Sequence, residues 1–218
     1  MLPFYGRRRT RKLKNFDLKE LENFEFFFNP KNFKILNTLI LAKKKINLEV
    51  GFGSGDNLVH QANIKKNEIF IGCEPFLNGV IKLKKQICNL KTKNIYFTDM
   101  TFNELLKFIE QIKFRKIFIL FPDPWPKKRH LKRRLINLSF VKSLLKITSP
   151  GSEIIVGTDH KNYLNVILYC FFLQKNFILS LDYFNNSLLD KYKIKRTKYY
   201  QKAEKNKKKS YFLLFRCK

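Results

Sequence analysis

Short apolar segments alternate with helical patterns along this chain, and that alternation constrains the fold more than any other feature. The apolar segments predict seven strands, at residues 46–51, 69–73, 95–97, 116–120, 153–157, 177–183 and 211–215. Apolar residues at helical spacing lie between most of them, as at residues 77–90 and 163–172. The pattern predicts an α/β fold: an open, mostly parallel seven-stranded sheet with helices on both faces.

Glycines or acidic residues follow the first five predicted strands. They are Glu49 with Gly51 and Gly53, then Glu74, Asp99, Asp123 and Asp159. Taken alone, Glu74 is typical of a solvated acid, and Asp99 is typical of the cap of a helix over residues 101–113. Ligands of open α/β sheets bind beyond the carboxyl ends of the strands, so five such positions together predict one ligand site.

The glycine-rich turn after the first strand discriminates between cofactors. It reads Glu-x-Gly-x-Gly-x-Gly from Glu49 onward, and its glycines allow the backbone to approach a ligand closely. A dinucleotide fingerprint starting at Gly51 would need a glycine at position 56, where the chain has Asp56. A carboxylate just before the turn suits a cationic ligand, so the turn favours S-adenosylmethionine. Glu74 is then placed for the ribose hydroxyls and Asp99 for the adenine amine.

The segment FPDPWPKKRHLKRRL, residues 121–135, follows the fourth predicted strand. Its three prolines bias Phe121, Asp123 and Trp125 toward extended conformations and predict a stiff loop. That loop would hold Asp123 beside Trp125, a candidate surface for stacking on a base. The alternative is a basic helix start in which Trp125 fills the core. The basic residues that favour a phosphate backbone here are Lys127, Lys128, Arg129, His130, Lys132, Arg133 and Arg134.

The chain is strongly basic. It has 45 Lys and Arg against 17 Asp and Glu, a formal net charge of +28, which predicts a polyanionic partner, nucleic acid before an acidic membrane. A general bias toward Lys, Asn, Ile and Phe is the competing explanation. We expect residues 1–16 to form a flexible basic arm and residues 17–218 to form a single domain.

Several classes of protein do not fit this sequence. The four cysteines are far apart without a Cys-x-x-Cys motif, and the three histidines are dispersed, so we expect no metal site. The N-terminus lacks the apolar region of a secretory signal, and the longest strictly apolar run, residues 166–173, is too short to span a bilayer. We therefore expect a cytoplasmic protein without membrane association; its oligomeric state, monomer or homodimer, stays open.

The motifs together resemble those of the bacterial tRNA (guanine-N7-)-methyltransferases, a class I family with a Rossmann-like fold. The matching pieces are LEVGFGSG, GCEP, FTDM, the proline-tryptophan-basic block, GTDH and a final TKY, in order over most of residues 48–200. The resemblance implies transfer of a methyl group from S-adenosylmethionine to N7 of a guanine at position 46, in the variable loop of tRNA.

The resemblance also implies roles for residues that match the family motifs. Glu49, Gly51, Gly53, Glu74, Asp99 and Asp123 would bind the cofactor, and Asp123 would also lie at the reacting centre. Lys127, Asp159 and Thr197 would contact the substrate. From the charge of the basic run, the candidates for contact with the tRNA backbone are Arg129, Lys132, Arg133 and Arg134. One departure concerns the C-terminal motif, in which Tyr200 stands where the family has Glu, and the run 205–209 contains no glycine.

The expected chemistry fits these residues. Guanine N7 carries a free lone pair, so the reaction needs positioning and negative charge rather than a strong base or a metal. Two other readings remain: a methyltransferase on another RNA or on a protein, and a non-catalytic RNA-binding module on a methyltransferase fold.

Overall fold

A computed structural model describes residues 5–10, 15–180, 186–196 and 198–218. Within this part of the chain, the strands are β1 Ile46–Val50, β2 Ile69–Cys73, β3 Ile95–Thr98, β4 Lys116–Leu120, β5 Glu153–Thr158, β6 Phe177–Leu179 and β7 Tyr211–Cys217. The helices are α1 Asn15–Glu22, α2 Ile35–Leu41, α3 Asp56–Ile64, α4 Leu77–Leu90, α5 Phe102–Ile109, α6 Leu138–Leu144, α7 Lys161–Phe172, α8 Asn186–Tyr192 and α9 Lys198–Lys205.

The strands form one sheet in the order β3-β2-β1-β4-β5-β7-β6. The pairs β1–β2, β2–β3 and β4–β5 are parallel, whereas β7 pairs antiparallel with both β5 and β6. The predicted α/β fold with a mostly parallel seven-stranded sheet is therefore confirmed. All residues of β1, β2 and β4 are buried, as expected for strands covered on both faces.

The chain divides into two compact units, Met1–Ile112 and Lys113–Lys218. In the first unit, side chains of β2, β3, α3 and α4 form an apolar cluster with Phe27 and Phe52, and Phe97 of β3 belongs to it. In the second unit, β4, β5 and β7 pack with α8 and α9 around Phe118, Tyr200 and Phe212. The single domain over residues 17–218 stays a prediction.

The sixth predicted strand is shorter in the structure, and the basic segment after the prolines is not α-helical. The sixth strand was predicted at residues 177–183, but β6 ends at Leu179, and the Ser180 N–H bonds to Leu214 O at 2.8 Å. Residues 181–185 lie outside the described part. The basic segment after the prolines forms a 3₁₀ turn, Lys128–Arg133, and α6 begins only after it. A short 3₁₀ turn carries little dipole, which suits a run of cations better than an α-helical first turn.

Candidate active site

The glycine turn between β1 and α3 adopts left-handed conformations. Gly51, Gly53 and Gly55 have φ values of 74°, 58° and 81°. The Gly51 N–H bonds to Cys73 O at 2.8 Å, which continues the ladder to β2. A Cβ added to Gly51 would meet no atom within 4 Å, whereas one added to Gly55 would lie 2.5 Å from Leu83 Cδ1. The turn is therefore packed at its end and open at Gly51, where a ligand can approach the backbone.

Glu74, at the end of β2, is held by two backbone donors. Its Oε2 accepts the Gly53 N–H at 2.8 Å, and its Oε1 accepts the Phe76 N–H at 2.9 Å. The carboxylate thus ties the glycine turn to the start of α4. An ionised carboxylate is an acceptor with about four lone-pair sites, the kind of group that binds the hydroxyls of a ribose.

Gly79, in the first turn of α4, is a site residue that the sequence analysis did not identify. A Cβ at this position would lie 2.1 Å from Gly53 O, closer than any real contact. Only glycine lets α4 approach the glycine turn this closely. A glycine inside a helical pattern is destabilising relative to alanine, and that signal could have drawn attention to it.

Glu49 lies beneath the turn and is 3 % exposed. Its Oε2 accepts a hydrogen bond from Asn57 Nδ2 at 2.9 Å, so the residue before the turn is joined to the first turn of α3. Burial raises the pKa of Glu49 to about 8, because desolvation of the carboxylate outweighs the hydrogen bond from Asn57. The contact of Glu49 with a cofactor stays a prediction.

The raised pKa of Glu49 predicts a pH-dependent stability. The unfolded chain titrates this group near 4.5 and the folded protein near 8, so its stabilising contribution is full below pH 4.5 and is lost as the pH rises toward 8. Urea unfolding between pH 5 and 8 should show a free energy of unfolding that decreases with pH. Glu49→Gln keeps the acceptor for Asn57 but cannot ionise, and it should remove that part of the decrease. Equal slopes in both proteins would contradict the assignment.

Asp99 follows β3, but it does not cap the next helix. Thr101 Oγ1 accepts the Glu104 N–H at 3.3 Å, and Glu104 Oε2 accepts the Thr101 N–H at 2.7 Å, which is a complete capping box for α5. The alternative reading of Asp99 as the helix cap is therefore wrong. Burial raises the pKa of the Asp99 carboxyl, and the charge of Arg8 partly opposes that effect. Asp99 as an adenine contact stays a prediction.

The described part of the basic arm, residues 5–10, contacts the start of α4. Arg8 O accepts the Leu77 N–H at 2.8 Å, and Thr10 exchanges two hydrogen bonds with the side chain of Asn78, at 3.0 and 2.9 Å. The Arg8 side chain donates to Glu104 Oε1 at 2.8 Å. This short segment has specific neighbours in the first unit, and the flexibility expected for residues 1–16 as a whole stays a prediction.

In the second unit, the loop that carries Asp123 has a strained backbone. Phe121 and Trp125 have φ values of 54° and 41°, although neither is glycine. The prediction that both are extended is therefore wrong, because contacts within the unit override the preference of a residue before proline. The Phe121 N–H bonds to Gly157 O at 2.8 Å, and its ring packs on Phe212 at 5.7 Å. Asp123 is exposed, yet neighbouring atoms desolvate its carboxyl enough to raise its pKa.

Trp125 contacts the basic segment that follows it. The Arg133 guanidinium lies 5.0 Å from the centroid of the indole ring, and the His130 ring meets it edge-on at 5.6 Å. A base that stacks on Trp125 would share the ring with Arg133 or use its other face. Lys127, Arg129 and Lys132 are exposed, and their contacts with the substrate or its backbone stay predictions.

Arg134 departs from the other backbone candidates. It is 4 % exposed, and its side chain donates to Pro124 O at 2.7 Å and to Asn162 Oδ1 at 3.0 Å. A guanidinium that is buried and bonded to its own chain is poorly placed for a phosphate. The structure thus gives Arg134 partners within the protein, and its contact with the tRNA backbone stays a prediction.

Asp159, at the end of β5, lies beside the basic run 205–209. Lys208 Nζ is 3.8 Å from Asp159 Oδ2, and both side chains are partly exposed. The run has no glycine, and Lys207 takes the left-handed conformation instead, with φ 51°. The Lys207 and Lys208 N–H groups bond to Glu204 O and Ala203 O, both at 2.9 Å, so this lysine turn ends α9 in the way that glycine usually does.

Tyr200, where the family motif has Glu, belongs to the core. It is buried, and its ring packs on Phe121 at 6.1 Å and on Phe212 at 5.9 Å. The departure thus replaces a carboxylate with a ring that supports the base of the Asp123 loop. Thr197 lies outside the described residues, and its substrate contact stays a prediction.

The described part of the chain contains neither a metal-binding cluster nor a membrane-spanning helix. Residues 5–10, 15–180, 186–196 and 198–218 contain no group of three or more His, Cys, Asp or Glu side chains arranged to hold a metal ion. In the same ranges, no helix is long and apolar enough to cross a membrane.

Comparisons with known proteins agree with this geometry. A family model described as a putative methyltransferase matches residues 43–213. The tRNA (guanine-N(7)-)-methyltransferase of Wolbachia pipientis wMel is 36% identical over 177 residues, covering 81% of this chain and 77% of the relative. The protein of the same name from Neorickettsia sennetsu is 35% identical over 159 residues, covering 73% and 70%.

A solved structure of an antibiotic-related methyltransferase matches the fold. It superposes with a TM-score of 0.61 at 17% identity and covers 86% of this chain and 94% of its own. At that identity the likeness concerns the fold alone, and it supports a Rossmann-like class I methyltransferase architecture.

Proposed function

Because the chain belongs to the tRNA (guanine-N(7)-)-methyltransferase family, we propose that it transfers a methyl group from S-adenosylmethionine to N7 of a guanine in tRNA. The finer assignment, position 46 in the variable loop, rests on the resemblance of the sequence motifs. We place the reaction in the cytoplasm, where this substrate is found.

The residues of the first unit fit S-adenosylmethionine. The open side of Gly51 gives a ligand access to backbone, and the Glu74 carboxylate, held by the Gly53 and Phe76 N–H groups, is an acceptor for ribose hydroxyls. Asp99 is an acceptor for the adenine amine. Glu49 acts from beneath the turn by holding Asn57, and it adds negative charge when ionised. When bound, the cofactor supplies an electrophilic methyl group on a sulfonium centre.

The residues of the second unit fit a guanine substrate. Guanine N7 has no proton to lose, so the enzyme needs no general base for the transfer. Asp123 and Asp159 accept hydrogen bonds from the N1–H and N2–H₂ edge and stabilise the positive charge that develops on the base. Lys127 and the segment around Thr197 contact the substrate, and Arg129, Lys132 and Arg133 neutralise backbone phosphates.

The observation that carries this proposal is the pair of hydrogen bonds that Glu74 accepts from the Gly53 and Phe76 N–H groups. A carboxylate fixed by the Gly53 and Phe76 N–H groups, beside an open glycine, is preorganised for the ribose of a nucleoside cofactor. A turn that only linked β1 to α3 would need neither feature.

Transfer of a labelled methyl group into unmodified tRNA, followed by nucleoside analysis, tests the function. We expect label in 7-methylguanosine, and sequencing of the product should place it in the variable loop. Label in another nucleoside or in protein would support another methyltransferase, and binding of RNA without any transfer would support a non-catalytic module. Calorimetry with S-adenosylmethionine and with NAD provides an independent check of cofactor choice.

The lysine turn after α9 provides a prediction about RNA binding. Lys208→Gln should weaken tRNA binding and reduce the slope of log K against log salt by about 0.7–0.9, the loss of one phosphate contact. Lys175→Gln is the matched control, because this exposed lysine precedes β6, whose Phe177 pairs with Cys217 at the far end of β7. Equal slopes for Lys208→Gln and the wild type would mean that Lys208 does not contact a phosphate and that the lysines of this turn reflect composition bias.

A further inference from the structure

Arg134 is the buried member of an otherwise exposed or partly exposed basic segment. The structure describes all of residues 127–134. Arg134 is only 4 % exposed, whereas four other basic residues are exposed: Lys127, Lys128, Arg129 and Lys132. Burial of a guanidinium is costly unless its donors are satisfied. We therefore expect Arg134 to have a structural role that its exposed neighbours do not have.

The contacts of Arg134 converge on the loop that carries Asp123. Its Nε donates to Pro124 O at 2.7 Å, and Pro124 is the residue directly after Asp123. Its Nη2 donates to Asn162 Oδ1 at 3.0 Å, and its guanidinium lies 4.8 Å from the centroid of the Tyr163 ring. The planar group is thus fixed on two edges and on one face.

Tyr163 is itself fixed. It is fully buried in the first turn of α7, and its hydroxyl oxygen accepts the Ile136 N–H at 2.8 Å. Burial raises the pKa of this hydroxyl, because desolvation disfavours its ionised form. The fixed Tyr163 ring therefore supports one face of the Arg134 guanidinium.

The loop needs such an anchor. Phe121 and Trp125 both have positive φ, a left-handed conformation that is sterically unfavourable for a residue with a side chain. Strained positions of this kind persist only where the surroundings hold them. The bond from Arg134 to Pro124 O lies between the two, one residue from Trp125.

We propose that Arg134 is a positioning residue that holds the Phe121–Trp125 loop in its strained form and so fixes the direction of the Asp123 carboxylate. The assignment rests on the proposed function for its kinetic consequences only. Its structural part, an ordered loop held by Arg134, stands by itself.

Trp125 allows the structural part to be tested without any activity. It is the chain's only tryptophan, so intrinsic tryptophan fluorescence reports on this loop. In Arg134→Met, we expect a shifted emission maximum and stronger quenching by acrylamide at a temperature where circular dichroism shows a folded protein. Lys175→Met, which removes a positive charge far from the loop, should leave both unchanged. A folded Arg134→Met protein with the fluorescence of the wild type would overturn the proposal.

The kinetic test separates positioning from phosphate binding. Arg134→Met should lower kcat by roughly 10- to 100-fold, the scale of a small misplacement of a catalytic group, with an unchanged salt slope of tRNA binding. Arg134→Lys should not rescue kcat, because an ammonium cannot reproduce the two-edged contact. Arg129→Met, which removes an exposed cation nearby, should show the reduced slope expected of a phosphate contact. A reduced slope with full kcat in Arg134→Met would return Arg134 to the tRNA backbone contacts.

Asn162→Ala covers the case in which Arg134→Met does not fold. It removes one partner of the guanidinium and keeps the bond to Pro124, so it should give a smaller decrease in kcat and a smaller change in fluorescence. Wild-type values of both would count against the proposal. Absence of methyl transfer in the wild type would refute the proposed function instead and would leave the fluorescence result to decide the role of Arg134.

Discussion

Asp123→Asn is expected to lower the rate of methyl transfer by a factor equivalent to about 2–4 kcal/mol in activation free energy, the effect of losing one preorganised electrostatic group. Asparagine keeps the shape of the side chain but removes the negative charge and one acceptor for the guanine N–H groups. The Phe121–Trp125 loop should stay folded, because Arg134 bonds to Pro124 O and not to the substituted side chain. Single-turnover transfer into tRNA measures the effect, and Asp190→Asn, an exposed change on α8, is the matched control.

The pH dependence of the wild-type rate tests the same role for Asp123. Desolvation by neighbouring atoms raises the pKa of this carboxyl, so the active, ionised form is present above that pKa and is lost as the pH falls through it. Above it, the rate should be nearly flat, since N7 offers a base no proton to remove. A rate that rises tenfold per pH unit through neutrality would demand a general base and would contradict this assignment.

Gly79→Ala is expected to damage cofactor binding from a position that no sequence motif marked. The new Cβ would lie 2.1 Å from Gly53 O, so either α4 or the glycine turn must move. Overpacking of this kind typically costs about 1–3 kcal/mol, and movement of Gly53 also breaks its bond to Glu74. We expect the Kd for S-adenosylmethionine to rise by roughly 10- to 100-fold on that scale.

Calorimetry and thermal unfolding together measure the effect of Gly79→Ala. Lys82→Ala is the control, because it adds the same residue to the exposed face of the same helix. An unchanged Kd and an unchanged melting temperature in Gly79→Ala would mean that α4 can move away from the glycine turn without cost. The close approach of α4 to the turn would then not matter for cofactor binding.

The sequence predicted the strand ends well because they depend on local pattern. An apolar run followed by glycine or an acid identifies both a buried strand and what it delivers at its carboxyl end, as at Glu74 and Asp123. The cap of α5 was also readable, since Thr-x-x-Glu at Thr101 is a capping-box signature, and giving that role to Asp99 overlooked it.

Features that depend on contacts between residues far apart in the sequence were not predictable from local pattern. Arg134 looks like its basic neighbours in the sequence, and its burial depends on Asn162 and Tyr163, almost thirty positions later. The left-handed Phe121 and Trp125 contradict the preference that a following proline imposes, because tertiary contacts outweigh it. In the C-terminal motif, the role of Tyr200 became visible only with its contacts to Phe121 and Phe212.

Hydrogen bonds separate residues 5–10 of the N-terminal arm into two groups that should evolve at different rates. Most surface cations of so basic a chain can be exchanged or lost singly as long as the overall charge persists. Arg8 and Thr10 differ, because their contacts with Leu77 and Asn78 hold the end of α4 that carries Gly79, and Arg8 also bonds to Glu104 on α5. Drift in related sequences should therefore be slow at these two positions and fast at Arg7 and Arg9. A shortened arm would then lose a support of the cofactor turn as well as charge, so an N-terminal truncation cannot be read as a change in RNA binding alone.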